Sequence, residues 1–150
     1  MRILTVFLAA TLFCVPAAFA NDALIVKPSP HGVAKTLDRL AQIMKKKGVT
    51  VFARINHAKG AKSIGAKLRP TQVLIFGNPK LGTPMMQSNQ QIGLDLPLKA
   101  VAWKDEAGKV WLAYTKPAVL AARYGITDRD GVVKKMTGAL NNLTNAALKP

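Results

Sequence analysis

Across a single glycine, Gly48, the hydrophobic period of this chain switches from helical to extended. Val33, Leu37, Leu40, Ala41 and Met44 recur at the spacing that gathers them on one face of a helix. Ser29 offers an N-cap, Pro30 a first-turn proline and Gly48 a C-terminal stop, so an amphipathic helix is predicted over residues 30–47. Past the glycine, Val49, Val51, Ala53 and Ile55 alternate with Thr50, Phe52, Arg54 and Asn56, the period of a half-buried strand. Two one-sided elements joined this tightly bury their apolar faces by packing in layers.

The rest of the chain supplies more of both kinds. Short strands are predicted at 24–27 and 71–76, and two more at 99–104 and 110–114. The last two are joined by Asp105-Glu106-Ala107-Gly108-Lys109, whose composition makes them a β-hairpin. Residues 57–70 form a small-residue, lysine-rich passage ended by Arg69-Pro70. Residues 77–98 read as a long irregular stretch with a short helix over 79–87; a loop of that length is functional or hides structure. Pro117 opens a short helix ending at Tyr124-Gly125. Thr127 and Asp130 form a capping pair for a C-terminal amphipathic helix over 128–147, carried by Met136, Leu140, Leu143 and Ala147. Together these elements predict an α+β domain, with helices on one face of a mostly antiparallel sheet.

Compartment follows from the N-terminus. Met1-Arg2, an apolar run over 3–15 and Ala18-Phe19-Ala20 have the form of a secretory signal cleaved before Asn21. This leaves a single domain over 21–150 and a periplasmic or secreted location. The only cysteine, Cys14, leaves with the signal, which removes disulfide, thiol and thiolate-metal chemistry. Loss of Arg2 leaves 21 basic and 7 acidic residues, a net charge of +14. The basic residues are dispersed, as on a solvated surface, and an exported chain meets little nucleic acid. An anionic small molecule, a cell-envelope component or a membrane surface is the partner this charge favours.

The residues with chemistry to offer are few. Where the strand over 71–76 ends, Gly77-Asn78-Pro79-Lys80-Leu81-Gly82-Thr83 begins a helix. Asn78 is placed to cap it, and amides left free there, with Lys80 beside them, would hold an anion. Asp95, before Leu96-Pro97, is a turn former or the acidic partner of His57. His57 follows a strand end and could serve as general base, ligand or anion donor. His57 with Met85 and Met86 would make a soft copper or haem site, although adjacent methionines more often fill a core. No nucleophile motif is present, no cofactor is predicted, and the balance leans away from an enzyme.

Leu68-Arg69-Pro70-Thr71, Phe76-Gly77-Asn78-Pro79-Lys80 with Gly82-Thr83, Asp95-Leu96-Pro97-Leu98, and Trp103 with Gly108-Lys109-Val110-Trp111 and Tyr114 follow one another in order. In that order they resemble the family called "domain of unknown function 302", over residues 24–126. The resemblance implies a two-layer α/β sandwich and a homodimer, and it brings no activity. The family's Asp-His pair is Asn56-His57 here, so an imidazole oriented by that acid is missing. The expectation is an exported binding or interaction protein. An enzyme using His57 and a haem- or copper-binding protein are the alternatives.

Overall fold

A computed structural model describes residues 22–150. The signal expected over residues 1–20, Cys14 and the cleavage before Asn21 lie outside the described residues. Five strands, β1 (Leu24–Ser29), β2 (Thr50–Asn56), β3 (Thr71–Gly77), β4 (Leu98–Lys104) and β5 (Val110–Thr115), form one antiparallel sheet in the order β1-β5-β4-β3-β2. Five helices accompany it: α1 (Val33–Lys46), α2 (His57–Ser63), α3 (Pro79–Ser88), α4 (Pro117–Arg123) and α5 (Asp130–Ala147). A 3-10 turn, Gln90–Leu94, follows α3. The architecture is α+β, a sheet layer and a helix layer, as the period changes predict.

The core lies between α1, α5 and one face of the sheet. Leu37, Leu40 and Met44 of α1 meet Leu74, Phe76, Ala100, Ala102, Leu112 and Tyr114 of the strands, with Leu140, Leu143 and Ala147 of α5 closing the layer. These are the apolar positions that period 3.6 and period two single out. A second cluster joins α3, the 3-10 turn, α4 and α5 through Met85, Ile92, Leu120, Ala121, Ile126 and Met136. Leu98 touches both clusters.

Some boundaries differ from expectation, each for a local reason. Ser29 ends β1 instead of capping a helix. Its hydroxyl accepts the His31 N–H (3.2 Å) and lies 2.7 Å from the Thr36 hydroxyl, and α1 begins only at Val33. Thr127 does not cap α5, which has no side-chain cap; Asp128 instead accepts the Ser88 hydroxyl. The lysine-rich passage contains α2, capped by Asn56 Oδ1, which accepts the Lys59 N–H at 3.0 Å. β2 is mostly exposed instead of half buried. It is an edge strand with a bulge at Phe52, and Ala53 and Ile55 face away from the helices.

Basic residues also occupy the helix-facing side of the sheet: Arg54 of β2 reaches Asp38 and the Ala34 carbonyl of α1. Lys27 of β1 points at α5, where Nζ donates to Asn141 Oδ1 (2.8 Å), Thr144 Oγ1 (2.9 Å) and Asn145 Oδ1 (2.6 Å). It also lies 5.8 Å from the centre of the Tyr114 ring. Burial pulls its pKa below the ordinary lysine value, and three acceptors offset the loss of water.

An apolar cavity beside the β3–α3 turn

The strand-to-helix turn that sequence analysis singles out borders a cavity of about 310 Å³. β3 delivers Phe76 and Gly77 to its wall, and Asn78, Pro79, Leu81, Gly82 and Thr83 continue round it. Leu96, Pro97 and Leu98 form a second side, and Met136, Ala139, Leu140 and Leu143 of α5 a third. Phe52 stands at the mouth: it lines the cavity and is still 56% exposed. The β2 bulge sets it there, because Phe52 is the extra residue between the pairs Val51–Phe76 and Ala53–Ile75. Gly77 admits the Phe52 ring; a β-carbon built on Gly77 would lie 3.4 Å from Phe52 Cε2 and 3.5 Å from Pro97 Cβ.

The lining is almost wholly hydrocarbon and thioether. Its polar exceptions are Asn78 and Thr83, both on the turn, with exposed Lys80 between them in sequence. Asn78 caps α3 as expected, its Oδ1 accepting the Lys80 N–H at 2.9 Å. The amides expected to be free for an anion are taken inside the chain. Pro79 has none, and the Leu81 and Gly82 N–H groups donate to the Asn78 carbonyl at 2.9 and 3.0 Å. What the turn still offers a negative charge is the exposed Lys80, with the Asn78 amide and the Thr83 hydroxyl on the cavity lining.

Gly77, Asn78, Lys80 and Thr83 are therefore one locality, and Asp95 is its neighbour through Leu96 and Pro97. The Asp95 carboxylate turns elsewhere: Oδ2 accepts from Arg123 Nη1 (2.7 Å) and Tyr124 Oη (2.8 Å). Partial burial pushes its pKa up, but the Tyr124 and Arg123 hydrogen bonds and the Arg123 and Lys99 charges override this and hold it below the usual value. The same hydrogen bond raises the Tyr124 phenol. Asp95 thus ties the segment after the 3-10 turn to α4.

His57 is not part of this place. Asn56 pairs with Gln72, five residues before Gly77, so His57 opens α2 from the opposite end of the sheet, about 17 Å of strand away. Its ring is exposed. The two methionines part as well: Met85 is buried among Ile92, Leu120 and Met136, whereas Met86 lines the cavity with its sulfur near Gly93. His57, Asp95 and the methionines, grouped in sequence analysis as an acid–base pair or a soft-metal set, occupy separate environments.

Phe52, Met136, Ala139 and Leu143 are among the cavity residues that sequence reasoning did not select. The α5 members lie on its legible apolar face, but nothing in their spacing distinguishes solid core from an open wall.

Comparison with known proteins adds a family and a fold. The profile described as "Domain of unknown function DUF302" matches residues 25–143, running past Ile126 into α5. A crystal structure of an uncharacterized conserved DUF302 protein from Bacillus stearothermophilus superposes with a TM-score of 0.68 at 20% identity, covering 85% of this chain and 96% of that one. The chain is 42% identical over 132 residues to "Fluoride-specific ion channel FluC 1" of Brucella suis and to "Fluoride-specific ion channel FluC 2" of Brucella melitensis. The match covers 87% of this chain but only 52% and 49% of those proteins, so the chain spans about half their length. Among the described residues, no helix is long and apolar enough to cross a membrane.

Proposed function

The chain belongs to the DUF302 family, whose description assigns no activity, and from its cavity we propose that it is an exported binding module for a small amphipathic anion. The observation that carries this reading is the apolar cavity of about 310 Å³ beside the Lys80 turn. Its size is at the small end of ligand sites, and such sites combine apolar walls with a few polar groups that orient the ligand. A ligand with an apolar body and one anionic head would bury the body against Leu81, Met86, Leu96 and Leu143 and leave the head at the rim near Lys80. An anion without an apolar body finds less here, since the helix amides are occupied.

The fluoride in the names of these relatives is a poor match for this cavity. An apolar wall strips water from a small hydrated ion without replacing it. An enzyme built on His57 and Asp95, or a haem or copper site built on His57 and Met86, draws less support from groups that lie apart. An anionic membrane surface would meet the chain chiefly through residues 39–94, which hold ten Lys and Arg residues and no acid. Salt weakens that attraction steeply and burial of an apolar body hardly at all.

The test is fluorescence of 1-anilinonaphthalene-8-sulfonate, an apolar anion, with displacement by other ligands. Saturable binding is expected that decanoate displaces and acetate does not, with little change in moderate salt. Gly82→Leu, which projects a side chain toward Leu96, should abolish it. Displacement by acetate as effective as by decanoate, or binding unaltered in Gly82→Leu, would reject the reading.

A further inference from the structure

Of the Val, Leu, Met and Phe residues that line the cavity, all but one pack into one or other of the two apolar clusters. The exception is Phe52. Its ring belongs to neither cluster and is 56% exposed, so neither core fixes it in place. The backbone beneath it has no fixed pair either. β2 is an edge strand, and the bulge leaves Phe52 without an opposite residue on β3. Regular alternation would turn Phe52 to the face opposite Val51; the bulge re-aims it over the mouth. The ring edge rests against Gly77, which has no side chain to hold it, with Pro97 Cβ across the same gap.

We propose that Phe52 is a clasp for the cavity's ligand: the ring turns aside as an apolar body enters and closes over it once it is bound. This rests on the amphipathic-anion reading of the cavity and adds to it the residue that sets how long the ligand stays. An exposed side chain changes rotamer in picoseconds to nanoseconds, far faster than a ligand arrives or leaves, so the ring does not slow entry. In the empty protein more than half of the ring faces water. A ligand body in the cavity gives that surface hydrocarbon to cover, and burial of aromatic carbon is favourable. The contact must be broken before the ligand leaves, so the stabilisation falls on the dissociation rate and not on the association rate. A purely structural Phe52 would instead pack into a core, and its loss would weaken the fold and leave ligand release alone.

Stopped-flow kinetics with 1-anilinonaphthalene-8-sulfonate, chased by excess decanoate, test this. Phe52→Ala should release the dye about tenfold faster than the wild type, with association changed by less than about threefold and native far-UV circular dichroism. Phe52→Leu, which keeps an apolar body without the ring, should fall between the two. Phe52→Trp sets a fluorophore at the mouth, and its emission should move to the blue as decanoate saturates the protein. Trp103 and Trp111 do not line the cavity, so wild-type emission should stay fixed and serves as the blank. Saturable dye binding by the wild type with release no faster in Phe52→Ala, a loss of affinity carried by slower association, or a Phe52→Trp emission that decanoate leaves unshifted would overturn the clasp while the cavity reading stands. No saturable dye binding by the wild type would overturn both.

Discussion

Gly82 shows how a single residue sets the balance between stability and binding. It lies inside α3, where its N–H donates to the Asn78 carbonyl and glycine is the weakest ordinary helix former. A β-carbon there meets only Leu96 Cδ1, at 3.7 Å, so alanine fits without strain. Gly82→Ala should therefore stabilise the protein by about 0.5–1 kcal/mol in urea unfolding. The same methyl group projects into the cavity wall, so apolar-ligand affinity should fall in the same variant. Higher stability with unchanged affinity would mean that the ligand does not reach the Gly82 wall.

At the scale of elements, the Asp95 clamp joins the segment after the 3-10 turn to α4, and its strength should be read in pH. The folded-state pKa lies below the unfolded one, so the stabilisation is complete above the unfolded value, near 3.8, and is lost as pH falls through the folded value. Tyr124→Phe removes one of the two hydrogen bonds to Oδ2 and should flatten the loss of stability below pH 4, measured by urea unfolding across pH. An acid limb as steep as the wild type's would show that the clamp contributes little. This clamp was hidden in the sequence because Asp95 and Arg123 are distant along the chain, and only folding brings them together. The elements themselves were largely legible. The apolar stripes of α1 and α5, the hairpin of β4 and β5, and the Asn78–Pro79 start of α3 all follow from spacing and cap chemistry. α2 was missed because its lysines and small residues bury nothing and carry no periodic signal. The exposure of β2 was missed because alternation says which residues share a face, not whether any layer covers it.

At the scale of the whole molecule, the sheet distributes three apolar surfaces. One is sealed by α1 and α5, one lies on the opposite face of the sheet, and one is held apart as a cavity where the two clusters meet around Leu98. The turn that ends β3 was legible as a site from its glycine, asparagine and proline. Its apolar character was not, because Phe52, Leu96 and Leu143 come from three distant parts of the chain. The measurement that bears most directly on the binding account is a methyl NMR titration of methionine-labelled protein with decanoate. Met86 and Met136 line the cavity, whereas Met44 lies in the α1 core outside it. Saturable shifts of the Met86 and Met136 methyl signals, larger than that of Met44, are the expected result. Methyl signals that stay fixed as decanoate is added, or that move no more than Met44, would contradict it.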